Sequence, residues 1–163
     1  MEAGNLVGVV IGGLIGLAGS FIPYWWDRRR ARKSAQAVAG AYISGILKME
    51  EIRQHGSLYQ QNLDALRAGT SQSLMKIFGA EDYPNDELQK ALISQIGLLA
   101  PDAARDIVIF ANMLDGLRVD LKAMALGQMD SIPVVDKIRI LEHDSKLWTD
   151  TQTLGQSLIE RLG

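Results

Sequence analysis

Residues 3–26 read AGNLVGVVIGGLIGLAGSFIPYWW, and residues 27–33 read DRRRARK. The first of these segments contains no charged side chain, and it decides how the rest of the chain is organised. A helix of about 20 apolar residues, rising about 1.5 Å per residue, crosses the hydrocarbon core of a bilayer. The sequence therefore predicts a transmembrane anchor over residues 1–26, a basic juxtamembrane collar over residues 27–33 and a helical bundle domain over residues 34–163.

The flanks of the apolar segment predict its orientation. Glu2 is the one charged side chain before it, whereas Tyr24, Trp25 and Trp26 end it. Aromatic rings favour the headgroup level of a bilayer, and basic residues are retained on its cytoplasmic side. A cleaved secretory signal has the opposite order, with its basic residues first. We therefore expect an uncleaved, single-pass protein of the bacterial inner (plasma) membrane, with the N-terminus outside and the C-terminal domain cytoplasmic.

The collar predicts a contact with lipid. Its basic residues are Arg28, Arg29, Arg30, Arg32 and Lys33, and together with Asp27 they give a local net charge of +4. Each basic residue close to an anionic membrane surface contributes about 1 kcal/mol to binding. We expect the collar both to fix the topology and to bind the anionic headgroups of membrane lipid.

A row of small residues predicts a second contact. Gly4, Gly8, Gly12, Gly16 and Ser20 stand at every fourth position and form one stripe along a helix. Helices in lipid associate through close approach of their backbones, which glycine permits. The stripe has the pattern of a glycine zipper and predicts a helix–helix interface, either in a homo-oligomer or with a partner membrane protein. Glycine is also frequent in transmembrane helices generally, and that is the alternative explanation.

Composition argues against several classes of function. Residues 34–163 hold 12 basic and 17 acidic side chains, a net charge of −5. Binding to nucleic acid in general draws most of its affinity from phosphate neutralisation, so this balance argues against it. The chain has no cysteine, which excludes disulfides, thiolate metal sites and cysteine nucleophiles. It also lacks a nucleophile-elbow motif and a phosphate-binding loop, and we expect no catalytic residues and no cofactor.

Apolar residues after the collar recur three or four positions apart, and no segment alternates as a strand would. The pattern predicts helices over residues 28–54, 57–68, 86–99, 101–127 and 131–162. In the helix over residues 28–54, the expected core residues are Val38, Tyr42, Ile46, Met49 and Ile52. In the helix over residues 101–127, they are Ile107, Phe110, Leu114, Leu117, Leu121 and Met124. In the helix over residues 131–162, they are Val134, Ile138, Leu141, Trp148, Leu158 and Leu162. The fold class is all-α: a single N-terminal transmembrane helix that continues into a cytoplasmic antiparallel helical bundle.

The two histidines are the first candidates for chemistry. Glu51 and His55 lie four apart on one predicted helix, and residues 142–144 read Glu-His-Asp. A metal site needs ligands that converge from several elements, whereas adjacent residues of a helix point about 100° apart. The chain also lacks HExxH and paired ExxH motifs. We therefore expect no metal site, and we expect these residues to lie on solvated helix faces.

Three hypotheses for function follow. The first is a non-enzymatic adaptor or accessory subunit that associates through its glycine-rich transmembrane helix and presents a cytoplasmic bundle. The second is a membrane-active effector, toxin-like or phage-encoded, whose helices assemble into a pore or lesion. A pore favours a helix with a polar stripe facing water. Between Leu6 and Pro23 the one polar side chain is that of Ser20, and this argues against a pore. The third is an enzyme with an unrecognised helical active site.

Overall fold

Helices make up the secondary structure of the residues that the structure describes. The computed structural model describes residues 3–71, 74 and 86–163, and it describes side chains in these ranges from residue 24 onward, other than residues 52 and 86–89. The helices are α1 (Ala3–Arg53), α2 (His55–Arg67), α3 (Asp86–Gln95), α4 (Pro101–Ala125) and α5 (Val134–Leu162), with a 3₁₀ turn at Ile96–Leu98. The described ranges contain no strand, which confirms the predicted all-α class.

Helix α1 joins the predicted anchor, the collar and the first body helix without interruption. It is 51 residues long, which corresponds to about 77 Å. Every residue from 24 to 30 is exposed, and Ala35 is the first buried residue among the described side chains of the helix. The bundle therefore packs against the C-terminal part of α1, and the helical backbone continues from there towards the N-terminus.

The predicted membrane span lies in this N-terminal extension. Within the part of the chain that the structure describes, no helix is long and apolar enough to cross a membrane. Residues 3–23 have a helical backbone, but their side chains lie outside the description. The transmembrane part of the predicted fold class therefore has no support from the structure. The same holds for the predicted helix–helix interface, whose residues Gly4, Gly8, Gly12, Gly16 and Ser20 fall outside the described side chains.

Helix α5 is the element on which the bundle is assembled, because α1, α2 and α4 all pack against it. Gly40 of α1 lies beside Leu162, and Leu47 lies beside Gly155. Higher numbers on α1 thus meet lower numbers on α5, so the two helices are antiparallel. A Cβ atom added to Gly155 would stand 3.1 Å from Leu47 Cδ1, which shows how closely the helices approach.

Helix α4 packs on α5 in the same antiparallel sense. Asp106 accepts a hydrogen bond from Arg161 Nη2 at 2.8 Å near one end, and Gly116 lies beside Leu147 farther along. Between them, Phe110 Cε2 would stand 2.8 Å from a Cβ atom on Gly155. The two arginines that hydrogen-bond to the Asp106 carboxyl, Arg161 and Arg105, lower its pKa. Because Leu47 of α1 and Phe110 of α4 both lie beside Gly155 of α5, the three helices meet at this glycine.

The predicted core of α4 is confirmed, and that of α1 is confirmed only in part. All six predicted core residues of α4 are buried, and so are Leu141, Trp148, Leu158 and Leu162 of α5, whereas Val134 and Ile138 are half-buried. On α1 the buried stripe is Ala35, Ala39, Ile43, Ile46 and Glu50. Val38, Tyr42 and Met49 are half-buried, and Ile52 lies outside the described side chains. The physical reason is close packing: alanine lets the α1 backbone approach its neighbours, so larger residues lie at the margin of the contact.

A single residue separates α1 from α2. Gln54 adopts a left-handed backbone conformation (φ 55°, ψ 34°), and Ser57 Oγ donates a hydrogen bond to its carbonyl oxygen at 2.9 Å. The helix break was predicted at His55 and Gly56, but both residues belong to α2. Gly56 serves packing instead, since a Cβ atom there would stand 2.8 Å from Trp148 Nε1.

Candidate functional site

The most unusual surface of the molecule is a run of exposed aromatic residues on α1. Tyr24, Trp25 and Trp26 expose 63, 58 and 67 % of their surface. Three consecutive large aromatic side chains of this exposure leave a substantial apolar area in contact with solvent, and such patches mark binding or membrane-contact surfaces. They stand where the sequence predicts the membrane interface, and their amphipathic rings suit a headgroup layer.

The basic collar follows directly on the same helix. Arg28, Arg29, Arg30, Arg32 and Lys33 are all exposed. No carboxylate among the described residues forms a salt bridge with any of them. The guanidinium carbon of Arg29 lies 5.3 Å from the centre of a Trp25 ring, a cation–π contact that joins the aromatic and basic parts. We call residues 24–33 the aromatic–basic belt.

One side of the aromatic–basic belt faces the bundle. Trp25, Arg28, Arg29 and Arg32 line a groove whose other wall is residues 97–99, at the end of the 3₁₀ turn. The groove encloses about 370 Å³. Arg30 and Lys33, with Trp26 and Asp27, line a separate depression, to which Arg29 also contributes. The structure thus divides the predicted topology residues between two faces of α1.

A buried pair of a histidine and a carboxylate side chain lies at the junction of α1 and α2. His55 Nδ1 stands 2.5 Å from Glu50 Oε2, and both side chains are buried. The prediction that His55 lies on a solvated face with Glu51 is therefore wrong. Glu51 is exposed and bonds to Lys48 at 2.7 Å. The left-handed turn at Gln54 carries His55 back towards the α1 face that bears Glu50, which a continuous helix would not do.

A second buried acidic group lies between α4 and α5. Asp144 has no exposed surface, and its two carboxyl oxygens accept no hydrogen bond from an N–H or O–H donor among the described residues. The acidic group that acts on it is the neighbouring carboxyl of Asp120. Burial, and then the charge and hydrogen bond of Asp120, raise the pKa of Asp144 to about 7. The enclosed position of Asp144 keeps its carboxyl group from contact with a dissolved substrate.

The Glu-His-Asp run at 142–144 is divided as helix geometry requires. Glu142 is exposed and accepts a hydrogen bond from Arg67 Nη2 at 2.6 Å, His143 is exposed, and Asp144 is buried. Among the described residues, no three side chains of the metal-binding types converge. The expectation of a solvated face thus holds for Glu142 and His143 and is wrong for Asp144.

Two of the residues that sequence reasoning missed carried a usable signal. Glu50 follows Ile46 by four positions, and Asp144 stands three after Leu141 and four before Trp148. Both charged residues therefore continue an apolar helical stripe, a pattern that indicates burial. Asp120, by contrast, is recognisable only once the pairing of α4 with α5 is known.

The chain matches no protein-family model, and neither a curated protein nor a solved structure is significantly similar to it. The candidate site therefore rests on the residues of this chain alone.

Proposed function

We propose that the protein is a single-pass membrane adaptor: α1 anchors it in the bacterial inner membrane, and the bundle serves as a cytoplasmic docking domain. The observation that carries the proposal is the aromatic–basic belt. Its three exposed aromatic residues are followed at once by five basic residues with no described carboxylate partner. On one continuous helix, this order matches the layers of a bilayer boundary, from apolar core through interface to anionic surface.

The sequence before the belt supports the same proposal. Residues 3–23 contain no charged side chain and lie on the same helix as the belt. An apolar segment of this length is sufficient to cross a bilayer core, for which about 20 residues are needed. The charge order favours an external N-terminus and a cytoplasmic bundle.

The proposed role is non-enzymatic. Asp144 is wholly enclosed and Glu50 and His55 are buried, so these titratable groups serve the core. Association through the small-residue stripe is part of the proposal, either between copies of the chain or with a partner helix. The exposed surfaces of α2, α4 and α5 remain for contacts in the cytoplasm.

A chain without cysteine offers a direct test of topology. Glu2→Cys and Thr153→Cys introduce one thiol each, before the apolar segment and on the exposed surface of α5. In intact bacterial cells without an outer-membrane barrier, a membrane-impermeant maleimide is expected to label the first variant, and the second only after lysis. Both proteins are expected to remain in the membrane after an alkaline carbonate wash. Extraction by carbonate, or labelling of Thr153→Cys in intact cells, contradicts the proposal.

The association surface has its own test. Gly12→Ile places a branched side chain in the small-residue stripe, whereas Val10→Ile adds a methylene elsewhere on the same turn. We expect Gly12→Ile to weaken self-association or partner association in a membrane two-hybrid assay and Val10→Ile to leave it unchanged. Equal signals from both variants refute the interface. Growth arrest with dye entry on expression favours the membrane-active effector instead.

A further inference from the structure

The groove beside the 3₁₀ turn continues the core-facing stripe of α1. Positions three, four and seven apart lie on one side of a helix. Ala35 and Ala39 are buried against the bundle, and Arg28 and Arg32 stand seven positions before them. Trp25 extends the stripe by seven positions from Arg32. The face of α1 that is apolar and small within the bundle thus becomes cationic at the edge of the bundle.

The described residues of the opposite wall are Gly97, Leu98 and Leu99, and none of these three carries a charge. The three arginines of the groove form no salt bridge with any described carboxylate. Guanidinium groups collected in one groove repel one another, and a bound anion relieves that repulsion.

The walls also specify the kind of anion. Trp25 is largely exposed, and Leu98 is 37 % exposed, so apolar surface lies beside the arginines. A volume of about 370 Å³ is within the range of small-ligand sites, about 300–1,000 Å³. Arginine binds phosphate through two parallel N–H···O bonds, which a compact ammonium group does not provide. The combination fits a molecule with a phosphate next to hydrocarbon.

We propose that this groove binds one anionic glycerophospholipid, with its phosphate at Arg28, Arg29 and Arg32 and its glycerol and acyl region against Trp25 and Leu98. The inference rests on the proposed function, since the lipid comes from the leaflet on which the bundle lies. It goes beyond a general attraction of the collar to anionic lipid, because it assigns the binding to one face of α1. The bound lipid would also hold the 3₁₀ turn, and with it the start of α4, against the membrane-proximal part of α1.

Two double variants separate the groove from bulk charge. Arg28→Gln/Arg32→Gln removes two groove cations, and Arg30→Gln/Lys33→Gln removes two cations that lie outside the groove. Both variants lower the net charge of the collar by two. All four side chains are exposed, so both variants are expected to fold, and circular dichroism checks this. The measurement is native mass spectrometry of the full chain in detergent micelles, titrated with phosphatidylglycerol or with zwitterionic phosphatidylcholine.

The wild-type chain is expected to retain one phosphatidylglycerol in preference to phosphatidylcholine. Arg28→Gln/Arg32→Gln is expected to weaken that binding roughly 25-fold, the product of about fivefold for each arginine. Arg30→Gln/Lys33→Gln is expected to stay within about threefold of the wild type. Equal losses in the two variants indicate bulk electrostatics only and overturn the proposal, as does the absence of a preference in the wild type.

A soluble phosphate compound is the remaining alternative to a lipid as the ligand of the groove. Glycerol 3-phosphate carries the same phosphate without acyl chains, and it is expected to displace the lipid only at far higher concentration. Displacement at equal concentration assigns the groove to a soluble phosphate and overturns the lipid assignment. Carbonate extraction tests the proposed membrane anchor separately from the proposed lipid site. If carbonate removes the wild-type chain from the membrane, the proposed anchor is wrong. If the chain stays in the membrane but shows no lipid preference, only the proposed lipid site is wrong.

Discussion

The buried carboxyl of Asp144 makes the stability of the bundle depend on pH. In the folded chain its pKa is raised from 3.8 to about 7, chiefly by burial and further by Asp120. In an unfolded chain the same group has its ordinary pKa. Between these two values the folded state binds a proton that the unfolded state does not, so stability falls as the pH rises. The contribution is complete below about pH 4 and is lost once the pH has passed about 7.

The size of the effect follows from the separation of the two pKa values. Roughly 3 units at about 1.36 kcal/mol per unit give about 4 kcal/mol. Asp144→Asn removes the titration and keeps the shape of the side chain. We therefore expect the variant to exceed the wild type in free energy of unfolding by up to about 4 kcal/mol at pH 8. The difference is expected to shrink towards zero at pH 4.

Urea denaturation of the full chain in non-ionic detergent, followed by circular dichroism at 222 nm from pH 4 to pH 8, measures this difference. Asp150→Asn is the matched control, because Asp150 is exposed on the same helix. It is expected to reproduce the pH dependence of the wild type. Parallel curves for Asp144→Asn and the wild type, or a lower stability of Asp144→Asn at pH 8, refute the role assigned to Asp144.

Two further predictions concern the backbone. Gln54→Gly is expected to raise the free energy of unfolding by about 1 kcal/mol, because glycine adopts the left-handed conformation without steric cost. Its control is Gln152→Gly within α5, which is expected to lower the free energy of unfolding by about 1 kcal/mol. Gly155→Ala is expected to destabilise the bundle by about 1–3 kcal/mol, since its Cβ would meet Phe110 Cε2 at 2.8 Å and Leu47 Cδ1 at 3.1 Å. Gly45→Ala, which has open space around its Cβ, is expected to stabilise by roughly 1 kcal/mol. The same urea titration measures the free energy of unfolding of all four variants. If both variants of a pair change this free energy in the same direction, the explanation for that pair is wrong.

Helix periodicity predicted most of the fold because the stripes of α4 and α5 consist of large aliphatic and aromatic residues. Phe110, Leu117 and Leu121 carry an unambiguous spacing, and all are buried. The stripe of α1 was misassigned because Ala35 and Ala39 carry a weak hydrophobic signal and because a charged residue, Glu50, ends it. Whether an alanine faces a close neighbour depends on the approach of α5, which is a property of the assembled bundle.

The arrangement of the candidate site could not be predicted from the sequence. The sequence predicts an interface role for Trp25 and Arg28 from their order alone, and this role stays a prediction. It does not place residues 97–99 beside them, because that contact joins segments about 70 positions apart in the chain. The pairing of Asp120 with Asp144 escaped prediction for the same reason, since it depends on the axial alignment of α4 and α5.

The central position of α5 has a consequence for how the protein is made. Helices α1, α2 and α4 precede α5 in the chain, and each of them packs against it. During synthesis their apolar stripes emerge before the helix that covers them, so the bundle remains open until α5 has left the ribosome. Such exposed surface promotes aggregation. An N-terminal segment that has already engaged the membrane would keep nascent chains apart during that interval, so early anchoring would protect folding as well as determine location.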